Sequence, residues 1–383
     1  MKLPTEKKGI LEFFGIDEPF FKTSELKGKD LQRFVDRKDE LLDLRTARDY
    51  KQNYALIGES GTGKSSLLLK FQQEINEEYY TDYIYFSMIA GTDKDMKEKF
   101  FRDILTRLLL LVIENDELLD CFDPKEIYFE NTRLNFSISI EDLVKKHVEI
   151  SPELEANFHN LLMGSILSGR LADKLRDKAG KVSRESLTPC YTCHTELTLR
   201  MTIGKLTQKL PSPVVLFIDE MDRIIKTVRP NENWMDEVIK LLRFASEIMT
   251  NDNLVFIFAL QPEIHDIFVK ADRVEGDDSI LRYVPAFKKI EGFDMEFAME
   301  AVVESLKFCG YKGKPGDLFQ GNVIEVVLSV VKNNPRQVMR YLTELTKLAY
   351  KKNQSIVSMD LLKEFLLAKF GVTGTQNWRD RLK

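Results

Sequence analysis

The chain has little of what secreted or membrane proteins depend on. Its 383 residues include only 4 cysteines and 4 histidines. Cysteines this sparse do not build the dense disulfide framework of a small secreted domain. No apolar run reaches the ~18 residues that span a bilayer. One apolar run, Leu108 to Ile113, is too short and reads as part of a buried helix. The N-terminal stretch from Met1 to Gly9 is charged and lacks the apolar core of a signal peptide. Low-complexity tracts and repeats of fixed period are missing as well. We therefore expect a cytoplasmic chain with no membrane partner. A net charge of -5 argues against a wholly basic nucleic-acid binder. The charge is uneven, however, with 16 Lys and Arg against 11 Asp and Glu from Pro285 to Lys383. Such a basic third suits either a phosphate backbone or a solvated helical surface. With 43% hydrophobic residues, the chain can bury the cores of two or three domains.

What the sequence does contain is a phosphate-binding signature. The run Tyr54-Ala55-Leu56-Ile57 is apolar, and Gly58-Glu59-Ser60-Gly61-Thr62-Gly63-Lys64-Ser65-Ser66 follows it. An apolar-periodic stretch then begins at Leu67. This is strand, turn, helix, with the G-x-x-x-x-G-K-S spacing of a P-loop. Glycines let successive N–H groups turn inward as an anion nest. A helix starting near Lys64 points its positive end at phosphate. The Lys64 ammonium reaches β- and γ-phosphates, and the Ser65 hydroxyl suits Mg²⁺. Gly58 through Ser66 are thus the expected phosphate-binding residues.

A second run, Val214-Val215-Leu216-Phe217-Ile218, ends in Asp219-Glu220. An uninterrupted apolar run reads as a buried parallel strand. Its carboxyl end is where open α/β sheets place ligands. Asp219 there suits Mg²⁺ through water, and Glu220 suits polarisation of an attacking water. A third buried strand, Leu254–Leu260, ends in Gln261, whose amide either orients water or caps the strand.

The remaining chain is placed more coarsely. Phe13, Phe14, Phe20 and Phe21 are apolar anchors in a mixed segment, 1–30. Phe34-Val35 before Asp36 suggests a capped helix start, and supplies an apolar surface for an adenine base or for sheet packing. Tyr83 to Met88 reads as a strand, and Val284 to Phe293 as a fifth. A mostly helical insertion is expected at about 115–195. Cys190-Tyr191-Thr192-Cys193-His194 matches a haem-attachment spacing, but export and further zinc ligands are lacking, and a turn before a helix at 196–209 is the simpler reading. Trp234 to Met249 has helical spacing, as do Met295–Cys309, Val323–Val331, Pro335–Tyr350 and Ser358–Phe370. Asn334 and Pro335 look like a helix start. Arg336 in that first turn is unfavourable beside the helix's positive end unless an anion is also there.

Gly58–Ser66, Val214–Asp222, Gln261 and Asn334-Pro335-Arg336 together resemble the AAA+ ATPases. Phe34-Val35-Asp36-Arg37-Lys38-Asp39-Glu40-Leu41 before the P-loop is similar to origin-recognition initiators, archaeal ATPases and STAND-type signalling ATPases. The resemblance implies a P-loop α/β domain at 31–293, carrying the insertion, and a helical lid at 294–383. It implies ATP and Mg²⁺ as cofactors, with Ser65 and Asp219 serving the metal. Lys64, Glu220, Gln261 as sensor 1 and Arg336 as sensor 2 would be catalytic, with Phe34 and Val35 bordering adenine. It also implies homo-oligomers with ATP between subunits and an arginine finger, for which Arg282 is the candidate and Arg273 the reserve. Gln261 departs from the usual Asn, Thr or Ser, and no winged helix follows the lid. The expected activity is ATP hydrolysis in a DNA-associated process. The alternative is a STAND-like switch that regulates a protein effector.

Overall fold

The computed structural model describes residues 9–35, 37–76, 78–85, 210–220, 253–266 and 286–374, with the single positions 104, 108, 207, 208 and 269. The expected insertion at about 115–195 lies outside the described residues. So do the 234–249 helix, residues 86–88, Asp36, Cys190, Cys193, His194, Arg273 and Arg282.

The strands are β1 (Tyr54–Ile57), β2 (Tyr80–Tyr85), β3 (Val214–Asp219), β4 (Leu254–Leu260) and β5 (Ala286–Lys289). Runs rich in β-branched and aromatic residues make β2, β3 and β4, as their fit to a pleated surface dictates. The strands form one five-stranded sheet in the order β2-β3-β4-β1-β5. The chain is thus an α/β protein in which β1, the strand leading into the glycine-rich turn, is an interior strand. By contact the chain divides into two compact units.

One unit comprises Ala47–Ala55 and Ile75–Ala286. Its strands β2, β3 and β4 pair in parallel, with Tyr85 opposite Asp219 and Ile218 opposite Phe258. Both β3 and β4 are buried along their whole length. That is why they read as continuous apolar runs rather than alternating ones. Tyr83 stacks on Phe217 with ring centroids 6.0 Å apart. The buried Asn53 side chain accepts a 2.9 Å hydrogen bond from Phe256 N.

The other unit comprises Met1–Thr46, Leu56–Glu74 and Phe287–Lys383. It holds α1 (Ile10–Phe14), a 3-10 turn (Gly28–Arg33), α2 (Lys38–Asp49) and α3 (Lys64–Ile75). It also holds α4 (Met295–Phe308), α5 (Pro315–Leu318), α6 (Val323–Val330), α7 (Pro335–Lys351) and α8 (Met359–Gly374). Asp294 caps α4 by accepting from Phe297 N at 2.8 Å. Asn334 caps α7 by accepting from Gln337 N at 3.1 Å, with Pro335 in the first turn. Gly371, at φ 70°, interrupts α8 one residue beyond the expected helix end. Helix α2 starts at Lys38, and Leu41 N donates to Arg37 O to open it. The short α5, and the bridge from Phe319 to Val357, had no period long enough to be expected.

The segment before the 3-10 turn is part of this unit's core. Phe14, Ile16, Phe20 and Phe21 are buried with Val302, Leu306, Val327, Leu342 and Leu345 of α4, α6 and α7. The buried Arg33 fastens the segment from below. It donates to Phe20 O at 3.0 Å and Pro19 O at 3.1 Å, and its guanidinium lies 4.1 Å from the Phe308 ring centre. Burial pushes the Arg33 guanidinium down from its usual pKa, while Asp30, Cys309 and Glu18 oppose the shift. On the far side of α7, Glu344 accepts from Lys369 and Arg340. Burial raises its carboxyl, but those bonds outweigh it and hold Glu344 below its ordinary range. Its contribution is therefore present above the free carboxylate pKa and fades as pH falls through the lowered one.

Phe20→Ala tests whether residues 9–35 belong to the helical core. Truncating a buried Phe costs about 3–5 kcal/mol, readable as a shift in the denaturant midpoint. A change of about 0.5 kcal/mol, the size seen at surfaces, would detach the segment from that core.

Candidate functional site

The turn between β1 and α3 is built by two left-handed glycines. Gly61 has φ 87° and Gly63 has φ 97°. Residues with a Cβ rarely adopt such angles. At Gly61 a Cβ would also meet Asn334 Oδ1 at 2.8 Å and Arg336 Cβ at 2.9 Å. At Gly63 a Cβ would meet nothing within 4 Å, so the backbone there faces open space. That is a cradle which any side chain would fill. Thr62 closes the turn, its Oγ1 donating to Glu59 O at 2.9 Å.

Lys64 opens α3 and is buried, at 9% exposure. Its ammonium donates to Gly58 O at 2.6 Å and Glu59 O at 3.0 Å. The lysine thus lies across the turn that precedes it, and its charge stays beside the cradle at the helix's positive end. Ser65 is half-buried in the first turn of α3. Ser66 is committed differently: its Oγ accepts from Leu26 N at 3.0 Å. Glu59 and Ser60 are exposed. This set fits a polyphosphate: open space at a left-handed glycine, one buried cation, a half-buried hydroxyl and a helix N-terminus.

The same unit brings the α7 start to the turn. Asn334 Nδ2 donates to Ser60 O at 2.8 Å, and Arg336 N donates to Gly61 O at 3.2 Å. Arg336 itself is exposed. Its position in the first turn of α7 therefore coincides with the P-loop. Phe34 ends the 3-10 turn and is half-buried. Val35 packs on the helical core.

Asp219, Glu220 and Gln261 belong to the other unit. Asp219 ends β3 and is buried at 4% exposure. Its Oδ2 accepts from the Tyr83 hydroxyl at 2.6 Å, and its Oδ1 from Glu220 N at 2.7 Å. The carboxylate is therefore fixed in orientation by two donors. Glu220 turns the chain left-handed, at φ 61°. For a residue with a side chain that costs on the order of 1–3 kcal/mol, and such strain collects at working sites. Gln261 follows β4, and its carbonyl accepts from Ile264 N at 3.0 Å and His265 N at 3.2 Å. That carbonyl starts the helical turn at 262–266 and leaves the half-buried amide as a separate group.

Two residues of these sites were not read from the sequence. Tyr83 reads from the sequence only as a strand residue, yet its hydroxyl holds Asp219. Arg37 stands in the initiator-like segment without a role of its own, yet its guanidinium reaches Thr62 O and Glu291 O. The signal for Tyr83 was its alignment two residues before the end of β2, beside a strand ending in acid. Arg37 gave none for its distant contacts, because Thr62 O and Glu291 O are main-chain oxygens, and its third acceptor, Glu40, is a local neighbour. Among the described residues, no cluster of three or more His, Cys, Asp or Glu is arranged to hold a metal. Nor is any helix there long and apolar enough to cross a membrane.

No family model and no curated protein matches the chain. Solved structures do. A Walker-type ATPase of Pyrococcus abyssi matches with 16% identity and a TM-score of 0.46, over 95% of this chain and 80% of that one. The ORC1 protein of Aeropyrum pernix, solved with DNA, matches with 11% identity and a TM-score of 0.44, over 91% and 69%. The ORC2 protein of Aeropyrum pernix, in ADPNP and ADP complexes, matches with 11% identity and a TM-score of 0.43, over 86% and 67%.

Proposed function

We propose that the chain is an AAA+-like ATPase that binds and hydrolyses Mg·ATP and uses the cycle to shift its C-terminal helices. The observation that carries this reading is the turn itself. A buried Lys64 ammonium lies beside a Gly63 backbone at φ 97° with open space at its missing side chain. Nothing in core packing calls for a buried cation at a helix N-terminus, where it is electrostatically opposed. A bound polyphosphate reverses that balance.

In this reading the amides of Gly58 to Ser66 and the Lys64 ammonium bind the phosphates. Ser65 and Asp219 provide the protein oxygens for Mg²⁺, which when bound neutralises charge on the β- and γ-oxygens. Glu220 accepts a proton from the attacking water, and Gln261 orients that water. Arg336 supplies positive charge from the lid, while Phe34 and Val35 border the base. Catalysis is then positioning and charge stabilisation, with no covalent step on the protein. Arg282 of a second copy is the candidate arginine finger. The process is DNA-associated, a reading supported by the initiator-like segment from Phe34 to Leu41 and by the basic C-terminal third.

Isothermal titration with Mg·ATP checks the central claim. Wild type should bind, Lys64→Ala should bind far more weakly, and Glu220→Gln should bind but not turn over. Turnover unchanged in Glu220→Gln would remove Glu220 from the role of base. Tyr83→Phe deletes one oxygen and frees Asp219 Oδ2. Losing such an orienting bond typically weakens metal affinity by about tenfold or more. Paramagnetic titration with Mn²⁺ and nucleotide reads that loss directly, and equal Mn²⁺ affinity would leave Tyr83 a packing residue. Binding to duplex DNA should fall steeply between low and physiological salt. ATP turnover indifferent to any nucleic acid would favour the protein-effector switch instead.

A further inference from the structure

Three consecutive carbonyls of the P-loop, at Ser60, Gly61 and Thr62, accept hydrogen bonds from outside it. The first two come from the start of α7. The third comes from Arg37, whose Nη2 donates to Thr62 O at 3.4 Å and to Glu291 O at 2.8 Å. Its Nη1 donates to Glu40 Oε1 at 3.0 Å. The side chain is largely buried, and the guanidinium carbon lies 6.0 Å from the Phe297 ring centre. Arg37 itself holds φ 123°, well outside the range side-chain-bearing residues prefer. Such a conformation persists where the surroundings over-determine it.

The acceptor matters. A trans peptide sets its C=O and the next N–H on opposite sides. Pulling Thr62 O toward Arg37 therefore turns the Gly63 N–H the other way. Gly63 is the residue whose missing side chain leaves open space. The second acceptor, Glu291 O, lies between β5 and α4, where the chain enters the helical lid. One guanidinium therefore spans the phosphate-facing turn and the lid's entry.

We propose that Arg37 is a positioning residue for the triphosphate, holding the Thr62–Gly63 peptide so that its amide faces the phosphates. This rests on the nucleotide-binding reading above. The planar fork is essential to it, since an ammonium is a point donor that does not bridge two carbonyls and a carboxylate in fixed geometry.

The test compares wild type, Arg37→Met and Arg37→Lys by equilibrium binding of a fluorescent ATP analogue with Mg²⁺ and by steady-state ATPase assay. Both variants should weaken binding about tenfold, the scale of one charge-assisted hydrogen bond, and raise KM more than they lower kcat. A purely structural role would shrink the active fraction, lowering apparent kcat at constant KM, and that result overturns the assignment. Wild-type affinity in Arg37→Lys overturns it too, because charge would then suffice. If Arg37→Met fails to fold, Arg37→Lys, which keeps stem and charge, decides the matter alone. Wild type that binds no nucleotide sinks the ATPase reading itself. Wild type that binds, with indifferent Arg37 variants, sinks only this assignment.

Discussion

A buried ammonium has to be surrounded by oxygen, and that requirement at Lys64 shapes the whole turn. Taking an unpaired charge out of water costs several kcal/mol. Gly58 O and Glu59 O meet the cost from 2.6 and 3.0 Å. Both carbonyls must then face inward, which bends the chain sharply over the next few residues. Two left-handed glycines supply the bend. Once past it, the carbonyls of Ser60, Gly61 and Thr62 face away from the lysine and require partners of their own. The start of α7 and Arg37 provide them. The docking of the lid's first turn is therefore a consequence of where the lysine sits.

The same logic explains what could be read from the sequence. The P-loop, β3 and β4 were legible because each needs a residue type at every position: apolar for a doubly covered strand, glycine for a left-handed turn. The cap Asn334 was of the same kind, since a short polar side chain before a helical period has few other uses. The contacts that assemble these pieces were not legible. Arg37 to Glu291 O and Asn334 to Ser60 O join distant segments through main-chain acceptors, and every residue has one. The aromatic residues near the N-terminus were legible as apolar anchors, but not the partners they pack on. Phe14, Phe20 and Phe21 follow no helical or strand period, so their burial against α4 and α7 had no pattern to announce it.

Asp219 shows a third kind of silence. Its position at the end of an apolar run was plain, but its state was not. In the structure both carboxylate oxygens are held, one by a tyrosine on the neighbouring strand. The parallel register sets Tyr83 opposite Phe217, two residues before Asp219. A long phenol is needed to cover that offset. Glu220, the residue that donates its N–H to Asp219 Oδ1, is itself left-handed at φ 61°.

The strength of the lid's attachment bears on what nucleotide binding can accomplish. Each neutral hydrogen bond contributes about 0.5–1.5 kcal/mol net, and one to a charged group about 1.5–3. The two from Asn334 and Arg336 at the start of α7 together contribute about 1–3 kcal/mol, the range by which two sites are commonly coupled. An apolar interface between turn and lid would be far harder to release. Because the Ser60 and Gly61 carbonyls accept from the start of α7, rotation of either peptide to meet a phosphate would change a bond to that helix. On the ATPase reading, the peptide planes of the turn therefore couple to the start of α7 alongside the Arg336 charge.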